Sequence, residues 1–152
     1  GDHRDLRSFP TRRSSDLRGW HAIILAEAGL ERLGPDVCGL AVTPIPFEEM
    51  LPAPGQGALG VQVRADDARV AALVGALDHA PTRDAVATER AFLRGIGGGC
   101  GIPLGTLATC AEGHVIFRAR LYDPAGKVRE FQGRWARDEA APRAEALGRA
   151  AL

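Results

Sequence analysis

Lysine is almost missing from this chain: Lys127 is the only one among 19 basic residues, and these are balanced by 19 acidic ones. With a net charge of zero, no broad field of one sign exists to gather nucleic acid. No apolar run is long enough to span a bilayer, so neither nucleic-acid nor membrane partners are expected. Cysteine is scarce too. Cys38, Cys100 and Cys110 are three in number and have no CxxC spacing, which excludes a paired disulfide framework and a thiolate metal site. Free thiols of this kind belong in a reducing compartment, and a cytoplasmic location is expected. Internal repeats and low-complexity tracts are also missing. What is present is 152 residues at 45% hydrophobic content, enough to bury a core in one domain or parts of two. The excess of Arg, Ala and Gly reads as the signature of a GC-rich genome.

Gly1 to Leu17, GDHRDLRSFPTRRSSDL, has no hydrophobic period and no apolar h-region of a signal peptide. Ser8 to Leu17 is the conceptual translation of TCT TTC CCT ACA CGA CGC TCT TCC GAT CT, a short-read sequencing adapter. Gly1 to Leu6 continues that adapter upstream, with Arg7 one base away from it. Residues 1–17 are therefore read as non-native. Without them the chain holds 15 basic and 16 acidic residues, and the apparent basic arm disappears.

The rest alternates elements and punctuation. His21 to Ala26 is an apolar run of the kind that forms a buried parallel strand, and Ala28 to Gly34 a short helix closed by Gly34 and Pro35. Leu40 to Met50 carries Pro44 and Pro46 and reads as an extended connection. Leu51 to Gly60 is a turn-rich hinge, and Val61-Gln62-Val63 alternates like a strand. Asp66 or Asp67 caps a helix with Val70, Leu73, Val74 and Leu77 on one face. His79-Ala80-Pro81 breaks it, and Thr82 opens a second helix that runs toward Cys100. Three strands follow, Leu104–Cys110, His114–Tyr122 and Lys127–Trp135. They are joined by turns at Glu112-Gly113 and Asp123-Pro124-Ala125-Gly126. Pro142 to Leu152 is a last helix. Two helices, an antiparallel meander and a helix make an α+β unit, preceded by an α/β piece.

Cys100 stands out because a helical run, Glu89-Arg90-Ala91-Phe92-Leu93-Arg94, stops at Gly95 and three glycines, Gly97-Gly98-Gly99, precede the thiol. Glycine there permits positive φ and close approach of a bulky group. A structural loop cysteine is the plainer reading. A cysteine hydrolase would need a histidine base, and His21, His79 and His114 have no motif spacing. Cys110 and Cys38 read as packing or surface residues. Gln56, between Gly55 and Gly57, is either part of an ordinary turn or a hydrogen-bonding group at a cleft mouth. Arg118, Arg120, Arg129 and Arg134 read as a solvated sheet face, and Phe117 and Trp135 as core.

Three segments in order, HAIILAEAGLERLG from His21, LPAPGQGALG from Leu51, and ERAF running into GGC at Cys100 and PLG at Pro103, resemble the hydroxymethylbilane synthase (porphobilinogen deaminase) family. The resemblance covers nearly all of Gly19–Leu152. It implies a transferase of tetrapyrrole (porphyrin, heme) biosynthesis that joins four porphobilinogen units head to tail with loss of ammonia. The chain grows on a dipyrromethane cofactor held by thioether to one cysteine, which by motif position is Cys100. Arg90 matches the motif arginine and would meet the acetate and propionate groups of the pyrroles, with Gln56 a second candidate cofactor contact.

The family fold implies residues 18–50 as the end of domain two, part of a periplasmic-binding-protein-like lobe. Residues 51–65 become the hinge and return strand of domain one, and 66–152 a C-terminal cofactor-attachment domain truncated at its end. The family's catalytic aspartate and most substrate-binding arginines would lie upstream, so no catalytic residue is assigned in this chain. Porphobilinogen and the growing oligopyrrole are the expected partners of a full-length, monomeric parent, and no metal is expected. The rival reading is a non-catalytic α+β interaction module with a reactive loop cysteine. An authentic start codon just before Trp20 would favour the module, and an upstream Arg- and Asp-bearing α/β lobe the enzyme. The purified 152-residue chain is expected to form no hydroxymethylbilane from porphobilinogen, and measurable product in that assay would overturn the assignment of the catalytic residues to upstream sequence.

Overall fold

The computed structural model describes residues 21–33, 41–99, 101–123 and 125–152. The segment 1–17, the expected helix stop at Gly34-Pro35, and Cys38, Cys100 and Pro124 lie outside the described residues. The chain divides into two compact units, residues 1–44 and residues 45–152.

In the first unit, helix α1 (Glu27–Leu33) forms one residue earlier than its spacing suggested. Glu27 in its first turn and Arg32 in its last complement the helix dipole. The strand expected over His21–Ala26 does not form. Those residues have no ladder partner among the described residues, and Ile24 and Leu25 are exposed. An unpaired strand leaves its N–H and C=O groups to water, so the apolar run alone does not make one.

In the second unit, residues 45–67 carry no helix or strand. Val61-Gln62-Val63 has the expected alternation but no strand to pair with among the described residues, and Val61 is exposed. Helix α2 (Ala68–Gly75) starts where Asp67 accepts the Val70 N–H at 3.0 Å, the cap anticipated from the acidic pair. None of its residues is buried, and Leu77 falls beyond its end. Helix α3 (Ala80–Gly95) begins two residues before Thr82. Pro81 therefore starts this helix: its fixed φ suits the first turn, where its missing N–H costs nothing.

The three expected strands form, each within one residue of the expected ends: β1 (Leu104–Ala111), β2 (His114–Tyr122) and β3 (Val128–Ala136). They make one antiparallel sheet in the order β1-β2-β3, with Ala108 opposite Phe117 and Phe117 opposite Gly133. The β1–β2 turn has positive φ at both Glu112 and Gly113, the primed geometry that matches strand twist. Helix α4 (Ala140–Arg149) closes the unit, two residues ahead of the expected start at Pro142.

Period-two burial on β2 places Val115, Phe117 and Ala119 on one face. Helix α3 buries Ala85, Thr88, Glu89, Ala91, Phe92 and Gly95, the stripe of a 3.6-residue period, and packs against β1 and β2. Phe92 sits at the centre, 5.2 Å from both Phe117 and Phe131, and Phe117 lies 5.9 Å from Trp135. Burying such rings contributes about 1.5–3 kcal/mol each. Phe117 and the partly buried Trp135 thus belong to the core, as expected.

Helix α4 presents Ala140, Ala144 and Gly148 at intervals of four, and this small-residue stripe lets it lie directly on α3. A Cβ on Gly95 would stand 2.3 Å from the Glu145 carbonyl oxygen, and one on Gly148 would stand 2.5 Å from that of Phe92. Neither backbone can move without parting the helices. Gly95→Ala and Gly148→Ala should each cost about 1–3 kcal/mol despite the better helix propensity of alanine. In thermal unfolding followed by circular dichroism this corresponds to a Tm lower by about 4–8 °C per kcal/mol. Gly75→Ala, where a Cβ meets nothing within 4 Å, should leave Tm unchanged or raise it.

Candidate functional site

Two segments that sequence reading singled out, the hinge at Leu51–Gly60 and the turn around position 100, flank helix α3. The helix ends by a defined mechanism. Ile96 N–H donates to Phe92 O at 3.1 Å, Gly97 N–H to Arg94 O at 3.0 Å and Gly98 N–H to Leu93 O at 2.9 Å. The last carbonyls are thereby satisfied, which requires left-handed backbone at Gly97 (φ 89°) and Gly98 (φ 43°). Beyond position 100, Ile102 N–H donates to Gly99 O at 3.3 Å and Tyr122 N–H to Pro103 O at 3.0 Å. The turn is thus anchored to the helix on one side and to the sheet on the other. Gly97, Gly99 and Gly101 each open on free space, since a Cβ on any of them would meet nothing within 4 Å. The Cys100 thiol itself lies outside the described residues.

The hinge folds as a tight turn. Gln56 N–H donates to Ala53 O at 3.0 Å, and Gln56 Oε1 accepts from Ala53 N–H at 3.1 Å. The exposed Gln56 side chain therefore closes its own turn. Arg90 is exposed on α3 and makes no ion pair among the described residues. Arg94, one turn on, is 3.4 Å from Glu145, which Arg149 also holds.

Sequence reading missed Glu89, the residue that connects these parts. It is 7% exposed, yet carries a carboxyl group. Oε2 accepts the Gly55 N–H at 2.6 Å, and Oε1 accepts the Ala108 N–H at 2.7 Å. One side chain on α3 thus ties the hinge turn to β1. Thr106 N–H reinforces the seam by donating to Pro52 O at 2.7 Å. Burial pushes the Glu89 carboxyl above the usual carboxylate range, and hydrogen bonds from Gly55, Ala108 and Thr106 oppose that rise. The Thr106 hydroxyl is buried beside it and meets no acceptor at full hydrogen-bond geometry. The available signal was positional: Glu89 falls on the α3 stripe between Ala85 and Phe92, where a solvated acid does not belong.

The other candidates resolve into local roles. His79 Nδ1 lies 2.8 Å from Thr82 Oγ1 and His114 Nδ1 lies 2.9 Å from Glu112 O, both within their own turns. Cys110 Sγ donates to Pro81 O at 3.1 Å, tying β1 to the start of α3. On the outer side of the sheet Arg120 donates to Glu130 Oε1 at 2.8 Å and to the Glu48 and Glu49 carbonyls at 2.7 and 3.1 Å. Arg118 is 3.8 Å from Glu48, and Arg134 3.7 Å from Glu112. Arg129 donates to the Ala151 carbonyl. A cavity of about 270 Å³ is lined by Arg118, Arg120, Glu130 and Gln132, two positive charges against one negative. Among the described residues no cluster of His, Cys, Asp and Glu could hold a metal ion, and no helix is long and apolar enough to cross a membrane.

Residues 4–72 match the family model "Porphobilinogen deaminase, dipyromethane cofactor binding domain", and residues 84–152 match "Porphobilinogen deaminase, C-terminal domain". Cys100 falls within the second match. The porphobilinogen deaminase of Moorella thermoacetica is 46% identical over 126 residues, 81% of this chain and 39% of that protein. Those of Roseiflexus sp. and Brevibacillus brevis are 42% identical over 126 residues (82% and 41%) and 50% identical over 107 (70% and 34%). The chain spans between about a third and two fifths of the length of these curated relatives. The two domain models, matched in tandem, and the relatives carry one conclusion: the chain belongs to the porphobilinogen deaminase family.

Proposed function

We propose that this chain serves hydroxymethylbilane synthesis, the joining of four porphobilinogen units with loss of ammonia, as the part of the enzyme that holds the dipyrromethane primer. The observation that carries the reading is the tandem match to two domain models of one family, the cofactor-binding one over residues 4–72 and the C-terminal one over 84–152, the second of which contains Gly97, Gly99 and Gly101 that border open space. When bound, dipyrromethane supplies the free pyrrole end to which further units are added.

This chain's residues would hold it. The Cys100 sulfur is a soft nucleophile, and a thioether formed there resists hydrolysis, so the tether survives turnover. The anchored ends of the turn keep the tether's position, and the side-chain-free glycines leave room for two rings. Arg90, exposed and without an ion pair among the described residues, is free to take a pyrrole acetate or propionate as a bidentate pair. Arg94 is committed to Glu145 and is the poorer candidate. Gln56 offers its amide NH2 group, since its Oε1 is engaged by Ala53.

The same reading assigns residues 18–50 to the end of a periplasmic-binding-protein-like lobe, 51–65 to the hinge and return segment, and 66–152 to the attachment domain. The enzyme would act as a cytoplasmic monomer. Residues 1–17 are read as translated adapter, although the first family match begins at residue 4, and a continuous coding sequence through them in the source genome would overturn that reading.

In the full-length parent, Cys100→Ser should abolish the covalent dipyrrole while leaving the fold intact. Intact-mass spectrometry reads the outcome directly: an adduct that persists in the serine variant means the tether lies elsewhere.

A further inference from the structure

Gln56 is exposed, yet its side chain is not free to turn. Its Oε1 accepts the Ala53 N–H at 3.1 Å while its own backbone N–H donates to Ala53 O at 3.0 Å. A backbone N–H can only donate, so the atom facing it is the amide oxygen, and the NH2 group is the end left to meet a ligand. This arrangement lasts only while residues 53–56 keep their turn, in which Gly55 has left-handed backbone (φ 75°). Three contacts seat that turn on the rest of the unit. Glu89 Oε2 accepts the Gly55 N–H at 2.6 Å, Pro52 O accepts the Thr106 N–H at 2.7 Å, and a Cβ on Gly55 would stand 3.6 Å from Val86 Cγ1 of α3. The Glu89 side chain is itself set by β1, because Oε1 accepts the Ala108 N–H at 2.7 Å. One N–H on each oxygen is the bonding pattern of a carboxylate, which accepts and does not donate.

We propose that Glu89 is the positioning residue for Gln56: its carboxylate anchors Gly55 to α3 and β1, keeps the turn in which Gln56 Oε1 is spent on Ala53, and so makes Gln56 a pure hydrogen-bond donor toward the acetate or propionate groups of a bound dipyrrole. This role rests on the cofactor-holding reading given above. An untied Gln56 would present oxygen and NH2 alike, and an amide oxygen set against a carboxylate is unfavourable, whereas N–H donors to a carboxylate make the stronger class of hydrogen bond. Glu89 touches neither substrate nor cofactor in this scheme and acts through the Gly55 N–H. Arg90 follows it directly on α3, so both donors assigned to the pyrrole carboxylates take their position from one short stretch of helix.

NMR of the 152-residue chain tests the anchor, and kinetics of the full-length parent test the role. In the unsubstituted chain the order parameter of the Gln56 side-chain nitrogen should lie above about 0.6, and a lower value, that of a freely averaging group, overturns the proposal. This measurement needs no variant and decides even if Glu89→Gln fails to fold. Glu89→Gln keeps the size of the side chain but turns one acceptor into a donor. The more buried Ala108 N–H retains the oxygen, so protection of the Gly55 amide against hydrogen exchange should fall by about 10- to 100-fold, and unchanged protection overturns the anchor. In the parent, Gln56→Glu preserves the acceptor for Ala53 and sets a second oxygen against the pyrrole carboxylate. Its kcat/KM for porphobilinogen should fall by about 10- to 100-fold. Glu89→Gln should lower kcat/KM in the same way, and the double variant should lie close to the weaker single one, because both changes remove one contact. Losses that multiply in full overturn the positioning role while the Gln56 contact stands. An unchanged kcat/KM in Gln56→Glu removes that contact from the cofactor-holding reading, and the proposal falls with it.

Discussion

A carboxyl group can be buried only where its oxygens find donors, and the placement of Glu89 depends on this requirement. Its two oxygens take one N–H from the hinge turn and one from β1, so three segments distant in sequence must meet at a single point. Residues 45–67 contain no helix or strand, so bonds from the packed elements must tell them where to lie, among them those from Arg120 to the Glu48 and Glu49 carbonyls. The Glu89 bridge and the adjacent bond from Thr106 N–H to Pro52 O do so as well. The same bridge sets how far α3 has advanced along β1, and hence where the helix ends and the Gly97–Gly101 turn emerges.

The second constraint is the contact of Gly95 with Gly148. Helices α3 and α4 approach so closely there that a methyl group on either would enter the other's backbone. This contact lies at the last residue of α3, one residue before the cap that reverses the chain. Core and candidate site therefore share an element: the close packing holds the helix end, and the cap formed by Ile96, Gly97 and Gly98 converts that fixed end into an open turn. Under the proposed function, a tether must be held firmly at its base and be unobstructed beyond it. Anchors at Leu93 and Arg94 on one side and at Pro103 on the other, around glycines that border free space, have this character.

Much of this was legible along the chain. The three strands, the Glu112-Gly113 turn and the Asp67 cap each follow from local preference that tertiary packing then reinforces. Where reading failed, local signal and tertiary need diverged. His21–Ala26 and Val61–Val63 have strand composition, but a strand exists only as a pair, and neither has a partner among the described residues. Pro81 punctuates in either direction, ending one helix or starting the next, and only the surrounding structure chooses. For Gln56 the sequence left an ordinary turn and a cleft contact both open, and it could not reveal that the turn uses the side-chain oxygen.

The sequence by itself determined the α+β meander, the helix that leads into the triple glycine, and the family, because these rest on short-range periodicity and on motifs in a set order. The tertiary structure alone decided that Glu89 and not a neighbouring arginine joins hinge to sheet, and that Gly95 and Gly148 touch. Both depend on groups far apart in the chain being brought within hydrogen-bonding or van der Waals distance, and no local pattern encodes such a distance.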